Sequence, residues 1–163
     1  MPGARLQGVK IVEIRPATAD DADEACDAVR RSIADLCHPD HRGDAPTIAA
    51  WLANKTAENM RRWIARSHVF VAVEHERIVG VGAITPSGEV TLNYVAPDAR
   101  LRGVSKALLR RLEQQAADTG AAAVTLQSTA TAHRFYLAAG YRDTGPPPKG
   151  FGITSGYPMT KRL

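Results

Sequence analysis

A basic segment between two predicted elements carries residue types that could bind an anion. Arg100, Arg102, Gly103 and Ser105 lie where an amphipathic helix begins, just after an apolar run that ends at Pro97. The first amides of a helix have no intrahelical partner, and the helix dipole is positive there. Glycine lets a ligand approach the backbone, and two arginines add charge. The segment predicts a diphosphate site built largely from main chain; the alternative is an ordinary solvated start of a basic helix.

The helix that begins there is predicted for residues 103 to 118 from its periodicity. Its apolar face would consist of Val104, Ala107, Leu108, Leu112 and Ala116. Its opposite face would carry Lys106, Arg110, Glu113 and Gln114. The apolar residues between Val90 and Val95 indicate a strand before it, so the basic segment is a turn between a strand and a helix.

Composition narrows the class of protein. The chain has 163 residues, of which 44% are apolar and 23% charged, which is typical of one globular domain. The net charge of +4 suits an anionic ligand, but no dense basic tract with interleaved aromatic residues favours nucleic-acid binding. Gly103 to Lys106 lacks the glycine spacing of a P-loop. With no apolar leader or membrane-length run, and with Cys26 and Cys37 expected as free thiols, we expect a cytoplasmic protein that binds neither membrane nor nucleic acid.

The order of predicted elements indicates an α/β fold. Residues 1–8 are expected to be a flexible tail, and residues 9–163 a single domain. Strands are predicted at 9–14, 69–73, 78–84, 89–95, 122–126, 141–143 and 157–163. Helices are predicted from Thr18 to Leu36, at 47–53, 57–65, 103–118 and 131–139, and residues 37–46, CHPDHRGDAP, are predicted as a loop because His38-Pro39 ends the first helix. Because the first half does not alternate strands with helices, we expect a mixed, mostly antiparallel sheet flanked by helices, not a doubly wound fold.

Four segments, in order, resemble motifs of one enzyme superfamily. Residues 100–105, RLRGVS, are similar to a coenzyme A loop that reads Arg or Gln, two residues, Gly, one residue, then Gly or Ala, with a departure at Ser105. Residues 94–97, YVAP, precede it, and residues 132–141, AHRFYLAAGY, and 157–161, YPMTK, follow. Thr129 stands where members often have Asn. The chain therefore resembles the GNAT superfamily of N-acetyltransferases over about residues 10 to 163.

The resemblance implies a site for acetyl-CoA and a catalytic role for two groups. The backbone N–H of Val95 would polarise the thioester carbonyl where its strand separates from the next. Tyr136 would protonate the departing thiolate, since a phenol with a pKa of about 10 is protonated at neutral pH; the alternative is a core aromatic residue. The residues implied to contact the cofactor are Val95, Arg100, Arg102, Gly103, Val104, Ser105, Lys106, Thr129 and Tyr136.

An acceptor ammonium must lose a proton before it can attack. Glu89 lies six residues before Val95, so an uninterrupted strand would direct both side chains to one face. Glu89 is thus the predicted catalytic base, with a solvated turn carboxylate as the alternative. His133 is a rival base for which a surface role is favoured. Neither cysteine lies beside the thioester motif, so we predict no cysteine nucleophile.

The early helices are expected to supply the acceptor pocket, as the resemblance implies. Ser32, His41 and Trp51 are the predicted substrate residues, with a core position as the alternative for Trp51. The cluster of Cys37, His38, Asp40 and His41 has residue types that suit zinc, but no second ligand pair is present at finger spacing, so we predict no metal. The Pro- and Gly-rich segment 145–152 is expected to form a loop near the acceptor mouth.

The sequence thus predicts an acetyl-CoA-dependent N-acetyltransferase that acts on a small amine or an exposed protein amino group by direct attack in a ternary complex. The alternative is a non-catalytic acyl-CoA sensor or assembly module of the same fold. A homodimer is possible by resemblance.

Overall fold

The computed structural model describes residues 12–147 and 156–163. The helices are α1 Ala22–Leu36, α2 His38–His41, α3 Ala45–Leu52, α4 Ala57–Arg66, α5 Val104–Asp118 and α6 His133–Ala138. The strands are β1 Glu13–Pro16, β2 His68–Glu74, β3 Arg77–Ile84, β4 Glu89–Val95, β5 Ala123–Ser128, β6 Arg142–Asp143 and β7 Tyr157–Arg162. Short 3-10 turns cover Ala19–Asp21 and Pro97–Ala99.

In the described residues the strands form one mixed sheet with the order β1-β2-β3-β4-β5-β7-β6. Every neighbouring pair is antiparallel except β4 and β5, which are parallel. The β4–β5 ladder pairs only Glu89 with Thr125 and Val90 with Leu126. Beyond Val90 the two strands separate, and a gap opens in the middle of the sheet. The predicted fold class, a mostly antiparallel mixed sheet flanked by helices, is confirmed.

Helix α5 packs closely on one face of the sheet because β3 carries two glycines. A Cβ placed on Gly80 would lie 2.9 Å from side-chain atoms of both Leu108 and Val104, and one on Gly82 would lie 3.2 Å from Leu112. Side chains of α5 thus occupy the space that the two glycines of β3 leave free. This packing fixes the start of α5 beside the end of β4.

Helices α1, α3 and α4 cover the other face. Their buried residues pack against alternate residues of β2, β3 and β4 in a second cluster, which includes Val29, Ile33, Met60, Val71, Val81 and Leu92. The entry to α1 is held by Asp21, which accepts hydrogen bonds from Arg15 at 2.7 Å and from the backbone N–H of Thr18 at 2.7 Å. This pairing holds the pKa of the Asp21 carboxyl at about 2.

The predicted helices agree with the structure within a few residues, and one predicted loop is wrong. The Thr56 hydroxyl caps α4 by accepting from Asn59 N–H at 3.1 Å, and Gly140 ends α6 with φ +96°. His38–His41, expected as loop, is a helical turn, because Pro39 occupies its first turn, where no backbone N–H is needed. The first strand begins at Glu13 among the described residues. Residues 1–11 and 148–155, which hold the predicted tail and part of the 145–152 loop, lie outside them.

No helix of the described residues is long and apolar enough to cross a membrane.

Candidate active site

A single cavity of ≈ 520 Å³ occupies the gap between β4 and β5. At one end it reaches the start of α5, at Gly103–Lys106, and at the other the C-terminal part of α1, at Ser32, Leu36 and Cys37. The segment from Val90 to Val95 forms one wall, and residues of the β5–α6 region, Tyr136 among them, form another. The cavity thus joins segments that are far apart in the chain.

The start of α5 presents free backbone donors to this cavity. The first bond of the helix runs from Ala107 N–H to Gly103 O at 3.0 Å, so the amides of Val104, Ser105 and Lys106 have no partner within the helix. Gly103 has φ +77°, and no atom lies within 4 Å of where its Cβ would be. The side chains of Arg100 and Lys106 add positive charge to the same lining. Backbone donors, dipole and charge together favour a phosphate group here.

Arg102 does not line this cavity. Its guanidinium donates to Glu74 Oε1 at 2.8 Å and to the carbonyl of Asp98 at 3.3 Å. Arg102 therefore ties the basic turn to the end of β2, and the predicted direct contribution of its charge to the anion site is not what the structure shows.

The backbone of Val95 faces the gap. Ala96 N–H donates to Val79 O on β3 at 2.8 Å. Since successive N–H groups of an antiparallel strand point alternately to its two sides, the Val95 N–H is directed toward β5. The β4–β5 ladder has already ended at Val90, so this N–H lies where a ligand in the gap can accept from it.

Tyr136 reaches the same gap from α6. It is 6% exposed, and its Oη accepts a hydrogen bond from Asn93 Nδ2 at 3.3 Å. Burial raises the pKa of Tyr136 to about 12, while the hydrogen bond from Asn93 acts in the opposite direction. Because Asn93 donates this bond, the proton of the phenol remains available to a ligand.

Asn93 is a residue of the site that was not predicted from the sequence, because no sequence motif marks it. It lines the cavity, and among the described residues its buried Oδ1 has no hydrogen-bond partner. Its position on β4, two residues before Val95, is the only local signal that could have pointed to it.

The prediction that Glu89 and Val95 share a face is wrong. Residue Thr91 is an extra residue in β4, since Ala83 pairs with Leu92 while Ile84 pairs with Val90. This β-bulge resets the alternation, so Val90 and Val95 both pack in the α5-side cluster. Glu89 therefore points to the opposite face. It is exposed, does not line the cavity, and starts a strand whose far end is roughly 20 Å away.

Of the three predicted substrate residues, only Ser32 lines the cavity. His41 is 3% exposed, and both of its ring nitrogens contact the backbone: Nδ1 accepts from Gly43 N–H at 3.0 Å, and Nε2 lies 2.9 Å from Ile33 O. Trp51 is 6% exposed, packs edge-on to His41 and lies beside Tyr94, a lining residue whose pKa burial raises and Trp51 lowers. His41 and Trp51 thus support the pocket wall from behind.

The loop cluster that resembled a metal site has another role in the structure. Asp40 accepts hydrogen bonds from the backbone N–H of Ala130 at 2.7 Å and of Thr131 at 3.1 Å. Burial raises the pKa of the nearby Cys37 thiol to about 12. Within the described residues no three His, Cys, Asp or Glu side chains converge as metal ligands do. Asp40 instead joins α2 to the β5–α6 connection and closes the cavity at that side.

Two further predicted residues, Thr129 and His133, differ in whether they line the cavity. Thr129 lines the cavity, and its hydroxyl accepts from Ala132 N–H at 3.1 Å. His133 lies outside the lining, stacked on Tyr157 with ring centroids 4.1 Å apart and bound to Asp143 at 2.8 Å. The surface role favoured for His133 agrees with this placement.

Known proteins share this architecture. The chain matches the acetyltransferase (GNAT) domain family over residues 37–163. A search of curated proteins finds no match. Because the family match spans most of the chain, the chain belongs to the GNAT acetyltransferase family.

Solved structures agree on the fold. A GCN5-related N-acetyltransferase from Rhodopseudomonas palustris is 23% identical, with a TM-score of 0.85 over 95% of this chain and 98% of that one. The PaiA N-acetyltransferase from Thermoplasma acidophilum, solved with coenzyme A, is 18% identical, with a TM-score of 0.78 over 94% and 99%. An aminoglycoside 6'-N-acetyltransferase complexed with coenzyme A is 18% identical, with a TM-score of 0.70 over 92% and 96%. At these identities the similarity concerns the fold.

Proposed function

We propose that this protein is an acetyl-CoA-dependent N-acetyltransferase that transfers an acetyl group to a primary amine by direct attack. The observation that carries the proposal is the single cavity in which the amides at the start of α5, the gap-facing N–H of Val95 and the hydroxyl of Tyr136 meet. These groups are an anion site, an oxyanion donor and an acid in one continuous space.

The residues present fit coenzyme A. Val104, Ser105 and Lys106 offer backbone donors to the diphosphate, and the open, positive-φ position of Gly103 lets it come close. Arg100 and Lys106 balance its charge. The gap between β4 and β5 accepts the extended pantetheine arm between two strands that no longer bond to each other. The thioester is the chemistry that the bound cosubstrate supplies.

The chain's own groups then act on the transfer. The Val95 N–H donates to the thioester carbonyl oxygen, where negative charge develops as the amine nitrogen bonds to the carbonyl carbon. As the carbon–sulfur bond breaks, Tyr136 gives its proton to the sulfur and is reprotonated from solvent, and the nitrogen, now bonded to the carbonyl carbon, releases its surplus proton to water. Asn93 holds the Tyr136 oxygen in place and lowers its pKa against the effect of burial.

Glu89 has no place in this mechanism, because it lies on the other face and outside the cavity. The extra proton of the acceptor leaves to water instead. The hydroxyl of Thr129 caps the turn before α6, so its difference from the family pattern leaves the local structure intact.

The test combines binding and turnover. Isothermal titration with coenzyme A, acetyl-CoA and ATP should show binding of both coenzyme A forms and at least about tenfold weaker binding of ATP, which has no pantetheine arm for the gap. Thiol release from acetyl-CoA should then require an added primary amine. Absence of coenzyme A binding would overturn the proposal. Binding without transfer to any amine would favour the non-catalytic acyl-CoA module.

A further inference from the structure

The end of the cavity away from α5, here the acceptor end, has a largely apolar wall. Ser32, Leu36 and Cys37 of the α1–α2 region form one side, and Tyr94 and Phe135 contribute aromatic rings. The polar groups of the lining outside the α5 end are uncharged: hydroxyls, the amides of Asn93 and Gln127, and a thiol whose pKa is raised by burial. An acceptor with an apolar body gains by leaving water in such a space.

Among the described residues, the charged side chains that line the cavity are Arg100 and Lys106, and both stand at the α5 end. None of the chain's 17 carboxylates lines it. Every one of these carboxylates lies in the described ranges, since residues 1–11 and 148–155 contain no Asp or Glu. No acidic partner for a second ammonium group is therefore present in the lining.

One carboxylate, Asp40, contacts a residue of the lining, Thr131, and all its bonds are to the wall. Three donors hold it: the backbone N–H groups of Ala130 and Thr131 and the hydroxyl of Thr131. Of the two side chains in this contact, Thr131 lines the cavity and Asp40 does not. Asp40 therefore stabilises the wall of the cavity and does not face a ligand inside it.

The part of the lining that the structure describes also holds no group ready to take an ammonium proton. Burial raises the pKa of Cys37 and Tyr136 to about 12, and it raises the pKa of Tyr94 as well. All three stay protonated at neutral pH. This wall therefore suits an amine that has one nitrogen and is either already neutral or loses its proton to water.

We propose that the acceptor is a small primary amine with a single nitrogen and a largely apolar body, and that diamines and polycationic amines are poor substrates. The inference rests on the proposed function and specifies its acceptor class. Its physical reason is that a second ammonium group in this cavity would be desolvated without an opposite charge.

Hexylamine and 1,6-diaminohexane test this, because they share one six-carbon chain and differ only in the second ammonium group, which hexylamine lacks. We expect kcat/KM for hexylamine to exceed that for the diamine by at least about tenfold in a thiol-release assay at pH 8. Equal rates, or a preference for the diamine, spermidine or kanamycin, would overturn the inference. Transfer to neither hexylamine nor the diamine would overturn it as well.

A charge variant gives a second, independent readout. Leu36 lines the acceptor end and is only partly buried, so Leu36→Glu adds the missing carboxylate, and Leu36→Gln is the matched neutral control. We expect Leu36→Glu, but not Leu36→Gln, to shift the ratio of the two kcat/KM values toward the diamine by about tenfold. An identical ratio in both variants would overturn the inference. Coenzyme A titration separates the two failures: loss of binding in the wild type refutes the proposed function, whereas intact binding with a diamine preference refutes only the acceptor class.

Discussion

The two ends of the cavity are built by different means. At the α5 end the donors are backbone amides of consecutive residues, and the side chain of Ser105 could differ with little effect. At the acceptor end the wall is made of side chains from α1, β4 and α6 together with Cys37, supported from behind by His41 and Trp51. In the proposed function, the first end would hold the diphosphate of the acyl donor, and the second would set which amine can enter.

This difference teaches where specificity lies. A main-chain site depends on one backbone conformation, here Gly103 at φ +77° and the turn before it. A side-chain pocket depends on every helix that packs around it, so its chemistry changes with single substitutions. Variants at the two ends should therefore fail in different ways.

Gly103→Glu should have the largest effect on binding. An anion at the start of α5 repels the diphosphate, and we expect coenzyme A affinity to fall at least about 100-fold by titration calorimetry. Gly120→Glu is the matched control: Gly120 also has a positive φ, of +82°, with no atom within 4 Å of its Cβ position, but it follows the other end of α5. Equal loss in both variants would show that backbone strain, not the anion site, is responsible.

Tyr136→Phe should separate chemistry from binding. Removal of the acid should lower kcat about 100-fold while the coenzyme A dissociation constant changes little. Tyr141→Phe is a suitable control, since Tyr141 is also buried and packs on Tyr136, but its hydroxyl donates to Glu113 at 3.2 Å, outside the cavity. A Tyr136→Phe enzyme with normal kcat would remove Tyr136 from the mechanism.

Asn93→Leu should have an intermediate effect. The bond that Asn93 donates stabilises the phenolate of Tyr136, so its loss should raise the pKa of Tyr136 above about 12 and make it a weaker acid. We expect kcat to fall about tenfold. Ultraviolet titration of tyrosinate in strong alkali, compared with the wild type and with Asn93→Asp, checks the direction: the carboxylate should raise the Tyr136 pKa most. A Tyr136 pKa that does not move would limit Asn93 to a packing role.

Substitutions of Arg100 and Arg102 should have different effects on coenzyme A binding, although the two residues are only two positions apart. Arg100→Gln should weaken coenzyme A binding about tenfold and reduce its salt dependence, since Arg100 lines the cavity. Arg102→Gln should leave that salt dependence unchanged and cost about 1 kcal/mol of unfolding free energy, because Arg102 pairs with Glu74. Calorimetry at two salt concentrations and urea denaturation measure both. The same salt slope in both variants would contradict the assignment.

Much of this molecule follows from local sequence. The periodicity of residues 104–118 defines α5, and the helices around Ala22–Leu36 and Ala57–Arg66 follow from their apolar stripes and caps. The turn from Arg100 to Gly103 predicts the anion site, because a helix start and a glycine are features of consecutive residues. The element order was enough to indicate a mixed sheet.

Tertiary structure alone decided the rest. The bulge at Thr91, which turns Glu89 away from the cavity, depends on the register between β3 and β4. The partner of Arg102 is Glu74, and that of Tyr136 is Asn93, 43 residues away in the chain. Asp40 meets Thr131 across 91 residues. Such contacts are set by how helices and strands pack, and a pattern of neighbouring residues contains no record of them. The sequence therefore determined the fold class and predicted a backbone anion site, whereas packing determined which side chains line the cavity.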